Sequence, residues 1–198
     1  MSRTTTVPQG IKKRDAIATR AAILSAARDR FLRESYASVG LRDIAGDAGV
    51  DVALISRYFG GKEGLFRDVL LHGKEEGLFR QPLTAAEVPA YLAQLVVEDA
   101  DEDRQYRMEM FIVMLRSASS PKAGEIIRDL VHQDILGPLA EILGDEHAEL
   151  RANMLLAVLM GIGVLRTIMK IDALDGSPHQ RAECEYRFRC LFEAALTC

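Results

Sequence analysis

Between Leu41 and Gly60 the chain reads LRDIAGDAGVDVALISRYFG, two apolar runs that break at Gly49 and close at Gly60-Gly61. Each run holds only about eight residues, and isolated helices below ~12–15 residues are marginal in water. The two runs must therefore be held by packing on one another. Ala45 is small where two helices cross closely, Gly49 stands where a left-handed turn is wanted, and Ile55 returns to the shared core. Ile44, Ala48, Val50 and Tyr58 fill the intervening apolar positions. A small residue, a glycine four positions on and an isoleucine six further on is the steric pattern of a helix-turn-helix, with an ordinary corner between two helices as the competing reading.

The rest of the chain also reads as helices, without alternating strand patterns or a Gly-rich phosphate loop. Residues 1–14 are polar and basic and are expected to form a flexible arm, with Asp15 capping a first helix that carries Leu24, Ala27 and Phe31 on one face. After Lys62 the elements lengthen. One is expected to reach Phe79, and Thr84 with Glu87 has capping-box spacing. A helix from Glu102 to Ser117 presents Met108, Phe111, Ile112 and Leu115, and Ser120-Pro121 opens another that Gly137-Pro138 divides. A long helix spans about Glu146 to Lys170, and Ser177-Pro178 with Gln180 opens the last. About nine helices in an all-α fold are expected.

Thr19–Phe31 (TRAAILSAARDRF), the Leu41–Gly60 window and Tyr58–Phe66 (YFGGKEGLF) together resemble, in order, spacing and residue type, the TetR family of one-component bacterial regulators. The resemblance covers residues 15–70; beyond them only helix number and length match. It implies a three-helix DNA-binding head over 15–61 and a ligand-binding and dimerisation domain over 62–198. Three positions depart from the family pattern. Ser35 stands where glycine is common, Gly40 replaces a Ser/Thr cap, and Gly46 adds a mid-helix cost of roughly 0.5–1 kcal/mol.

By the same resemblance Val52–Phe59 is the recognition helix, presenting Val52, Ala53, Leu54, Ser56 and Arg57. Arg57 can grip guanine O6 and N7 together or hold a phosphate. Arg42, Tyr58 and Lys62 match positions that contact DNA, Tyr58 being equally readable as partly buried core. Arg3, Lys12, Lys13 and Arg14 either reach DNA or stay solvated. The expected partners are a double-stranded DNA operator with an inverted repeat, a second copy of the chain, and a mostly apolar small-molecule effector.

Charge distribution agrees with this division. Residues 1–66 hold 11 Lys/Arg against 7 Asp/Glu, whereas the remainder holds 14 against 22, a basic head on an acidic body. Ala152 to Leu165 is free of charge for 14 residues, short of the ~20 that span a bilayer, so no membrane association is expected. A helix apolar on every side needs cover on every side. The expected homodimer seam takes Leu155, Leu159, Gly161, Ile162 and Leu165 from that helix and Phe188 and Phe192 from the last. The alternative is the central core helix of a monomer.

Tyr91, Tyr106, Met108, Met110, Phe111, Met114 and Met154 form the expected effector pocket, an adaptable apolar set. No GxSxG, HExxH or CxxC occurs, and Cys184, Cys190 and Cys198 read as packed thiols of a cytoplasmic chain. Neither a catalytic group nor a metal or other cofactor is expected. The sequence thus reads as a ligand-responsive repressor. The reading from another class is a helical small-molecule-binding or adaptor protein without specific DNA readout.

Overall fold

Ile23, Leu24, Ala27 and Phe31 recur at helical spacing and form the buried stripe of α1 (Gln9–Arg33). The computed structural model describes residues 9–71, 79, 83–97, 102–171 and 177–197. α1 begins ahead of Asp15, because only Gly10 among residues 10–14 is a poor helix former. Arg3 lies outside the described residues.

α2 (Leu41–Asp47) and α3 (Ala53–Phe59) are the two short helices expected from the window. Ile44, Ala45 and Ile55 are buried, α2 packing on α1 and α3 on α4, and Gly49 takes a left-handed φ of 65°. Asp51 Oδ1 accepts the Ala53 N–H at 2.7 Å, which starts α3. Gly60 and Gly61 stop it with φ of 73° and 123°, a backbone region open to glycine and costly for L side chains. α4 (Lys62–Leu71) follows; residues 72–78 lie outside the described set, and Phe79 stands outside any helix.

Thr84 and Glu87 form the expected cap, the Thr84 N–H donating to Glu87 Oε2 at 2.8 Å. α5 (Val88–Val97) starts just after it, so Pro89 falls in the first turn, where its missing N–H costs nothing. α6 (Glu102–Ser117) has the expected bounds but a different buried face: Met110, Phe111, Val113 and Ser117 are buried, whereas Leu115 is exposed. The chain divides into two compact units, one holding Met1–Gly73 with Val113–Ile126 and the other Lys74–Ile112 with Ile127–Cys198. α6 therefore serves two cores in succession, and no single stripe runs its length.

α7 (Pro121–Val131) passes through a π-helical turn, His132–Leu136, into α8 (Gly137–Leu143). The Gly137 N–H bonds His132 O, so the widened turn absorbs the defect that Pro138 imposes on the helix. α9 (Ala148–Thr167) and α10 (Pro178–Thr197) complete the chain, the latter opened by Ser177 N–H donating to Gln180 Oε1 at 2.8 Å. Ten α-helices and no strand occur among the described residues.

The core of the second unit joins Val88, Leu92 and Val96 of α5 to Leu139 of α8, Ala152, Leu155 and Ile162 of α9, and Phe192 of α10. Leu155, Ile162 and Phe192, expected at a subunit seam, thus belong to the chain's own core. Leu159 and Phe188 pack half-buried against it, while Gly161 and Leu165 are exposed. For these three the expectation fails, because a helix apolar all round does not reveal which side its own chain covers. By length and composition α9 could also cross a membrane, the one such helix among the described residues, although its charge-free stretch is shorter.

Candidate nucleic-acid interface

The short helices of the first unit leave an outer face that carries two exposed arginines. Val52, Ala53, Ser56 and Arg57 are exposed on and before α3, and Arg42 is exposed at the start of α2. Leu54 and Tyr58 are half-buried, Tyr58 lying edge-on to Phe59 with centroids 6.5 Å apart. Arg42 and Arg57 make no hydrogen bond or ion pair among the described residues. A guanidinium left in water on a convex helical surface is available to a phosphate or a guanine edge.

Other arginines of this unit are spent on its frame. Arg30 of α1 holds Asp47 of α2 through two bonds, Nε to Oδ2 at 2.5 Å and Nη2 to Oδ1 at 3.0 Å. That pairing holds the Asp47 carboxyl below the usual carboxylate range. Arg20 pairs with Asp68 of α4 and lies 5.0 Å over the Phe59 ring. The fork geometry tethers α2 to α1 where a short helix with a glycine at its N-cap has little stability of its own.

One glycine is set by contact. A Cβ on Gly64 would fall 1.8 Å from the Phe59 carbonyl oxygen, which makes glycine obligatory where α4 meets the end of α3. A Cβ on Gly40 would meet only Asp43 Oδ2, the end of an exposed side chain that can turn aside. Neither the Gly64 contact nor the Arg30–Asp47 tether leaves a local pattern in the sequence.

Lys62 is half-buried, with Nζ 4.5 Å from the centroid of the Tyr36 ring. Burial lowers its pKa. Tyr36 is itself buried, and its N–H donates to Ser117 Oγ at 3.1 Å.

The seven expected pocket residues differ in burial and are divided between the two units. Met110 and Phe111 are buried, Tyr91, Tyr106 and Met108 are half-buried, and Met154 is exposed at 45%. Met114 belongs to the first unit and the others to the second. Thr167 Oγ1 donates to Met108 Sδ at 3.1 Å, and Phe111 packs on Gly163, which closes α6 onto α9. A groove along α1 and α2 and another on α10 beside Cys184, Phe188 and Leu191 are lined by none of the seven.

Comparison with known proteins places these features in a family. Residues 23–69 match the profile of bacterial regulatory proteins of the tetR family, and residues 86–183 match that of the tetracyclin repressor-like C-terminal domain. The HTH-type transcriptional regulator UidR of Escherichia coli is 23% identical over 117 residues, 58% of this chain and 60% of that one. This chain thus spans about 60% of the length of the curated relatives it matches. Among solved structures, Salmonella enterica GusR superposes with a TM-score of 0.65 at 20% identity, over 99% of this chain and 100% of its own. NalD of Pseudomonas aeruginosa, the secondary repressor of the MexAB-OprM multidrug efflux pump, reaches 0.61 at 18% identity, over 88% and 95%. The two profiles together cover most of the helical chain described above, and the chain belongs to the TetR family of DNA-binding transcriptional regulators.

Proposed function

We propose that this chain is a ligand-responsive repressor that grips an inverted-repeat operator as a homodimer. The observation that carries the DNA half of the reading is the contrast between arginines. Arg20 and Arg30 are paired within the chain, whereas Arg42 and Arg57 stand exposed without partners among the described residues. Arg57 reads a guanine from α3, with Val52 and Ala53 against thymine methyls and Ser56 beside them; the half-buried Leu54 and Tyr58 contribute at the edge. Repression is the sign we assign because a dimer seated on a promoter excludes polymerase without any further surface.

The second copy is supported by α9. Leu150, Met154, Ala157, Gly161, Leu165 and Ile168 follow one another at spacings of three and four, all exposed. A Cβ added at Gly161 would meet nothing within 4 Å, so the chain itself does not use that space. Large apolar side chains in a row on one helix face are the mark of an interface. Two-fold pairing through this stripe sets two heads to read half-sites one helical turn apart, ~34–36 Å or a multiple.

We assign the effector to the apolar class and the chain to the cytoplasm, where its operator is. A ligand shifts DNA binding only by its difference in affinity between the two arrangements of the dimer. Tenfold release from DNA requires ~1.4 kcal/mol of that difference. The test is a gel-shift titration on the DNA flanking the chain's own coding region, with the inverted repeat intact and with one half-site scrambled. A shift that needs both half-sites, and an effector that binds less tightly when operator is present, is the expected result. Equal retention of both duplexes would instead favour a helical binding protein without sequence readout.

A further inference from the structure

Asp51, just ahead of α3, is exposed beside the exposed Val52 and Ala53. Its Oδ1 accepts the Ala53 N–H at 2.7 Å, and its carbonyl accepts the Leu54 N–H at 3.0 Å. The first of these bonds fixes the carboxylate in one orientation. Oδ2 makes no hydrogen bond or ion pair among the described residues, so a rigid acceptor is left in water. Three other carboxylates of this unit sit against cations: Asp47 on Arg30, Asp68 on Arg20 and Glu63 on Lys122.

Capping alone does not call for a charge at this place. Serine and asparagine cap a helix about as well as aspartate, and neither brings an anion towards phosphates. An anion on a surface that docks on DNA lowers affinity for every sequence unless a base offers it a hydrogen-bond donor. In the major groove only cytosine N4 and adenine N6 are donors, and adenine sets its N7 acceptor beside the N6 group. Guanine and thymine turn acceptors outward, and an ionised carboxylate can only accept. Cytosine is therefore the base that suits it. We propose that Asp51 is a specificity-determining residue, whose Oδ2 accepts the N4–H of one cytosine in each half-site and excludes guanine and thymine there. Arg57 lies six positions further on, roughly 9 Å at helical rise, so this cytosine lies about three base-pair steps from the guanine of Arg57. The proposal rests on the DNA-binding reading above and adds a base that a cation, carrying donors alone, cannot select.

The test uses the full chain and a pool of random-sequence duplexes, with the bound fraction sequenced. Wild type enriches an inverted repeat with a cytosine at one place in each half-site, and guanine or thymine there costs about 5–150-fold in affinity. Asp51→Asn enriches the same repeat with adenine at that place, because a carboxamide pairs with adenine N6 and N7 together. Asp51→Ser makes that place indifferent and leaves the others as they were. Both replacements cap α3, so both variants keep the wild-type melting temperature. A second measurement needs no variant. N4-methylcytosine, whose methyl group replaces the outward N4 hydrogen, weakens wild-type binding at that place by at least about fivefold. Enrichment of an unchanged repeat by both variants, or full wild-type affinity for the N4-methylated duplex, would overturn the proposal and leave Asp51 a cap. A wild-type chain that enriches no sequence at all overturns the DNA-binding reading itself, an outcome distinct from an unchanged repeat.

Discussion

Gly163 of α9 lies so close to Phe111 of α6 that a Cβ on the glycine would fall 2.8 Å from the ring's Cε1. Gly163 is buried and Gly161, two residues away, is open to solvent, so the two glycines have opposite tasks. Gly163→Ala should destabilise the chain by ~1–3 kcal/mol through overpacking, and Phe111→Leu should recover part of the loss. Denaturant midpoints check both. A midpoint for Gly163→Ala equal to that of wild type would contradict the contact.

The two sides of α9 can be separated by experiment. Leu155 is fully buried in the chain's own core, and Leu155→Ala should cost ~2–5 kcal/mol of folding stability. Gly161→Leu should leave folding nearly unchanged but distort the pairing of two copies, so sedimentation should show more monomer and operator affinity should fall with it. Both variants losing folding stability equally would assign Gly161 to the core as well.

For base reading, Arg57→Ala should relax discrimination at one base pair per half-site by ~1–3 kcal/mol, leaving the other positions as they were. Competition among operators changed one base pair at a time measures this. A uniform loss across all of them would make Arg57 a phosphate contact.

Acid should loosen the chain where carboxylates are held by partners. Arg30 keeps Asp47 below its ordinary 3.8, and the Thr84 amide and then hydroxyl keep Glu87 below its ordinary 4.5. In each case the unfolded chain binds the proton more readily in this window. The stabilisation is therefore present above the unfolded value and is lost as pH falls through the folded one. Asp47→Asn and Glu87→Gln should each flatten the acid limb of a plot of urea midpoint against pH. Lys62 works at the alkaline end: burial lowers its pKa, so stability should rise as pH climbs through the window just below the unfolded value of 10.5.

What could be read ahead of the structure was local. The caps at Thr84–Glu87 and Ser177–Gln180 lie three residues apart, and Ala45, Gly49 and Ile55 lie within one turn of chain reversal, so their geometry is written in adjacent letters. Arg30–Asp47, Arg20–Asp68 and above all Tyr36–Ser117, separated by 81 positions, have no such local mark. The buried face of α6 was misread because its last turns join a different core from the first. Seam residues were misassigned for a related reason: hydrophobicity records that Leu155 and Phe192 are covered, and not by which chain. The exposed face of α3 was legible apart from the half-burial of Leu54.

The Gly60-Gly61 stop has a consequence for how much sequence a head can take in. At 1.5 Å per residue the seven residues of α3 are about 10 Å long, roughly three base pairs. In the homodimer we propose, two such helices would read about six base pairs, or ~12 bits, whereas picking one site among the ~10⁶ that a genome offers takes ~20. The remainder would then have to come from the interval between the half-sites and from the ease with which the intervening DNA bends. An operator read that way is a pair of short words whose spacing is part of the address.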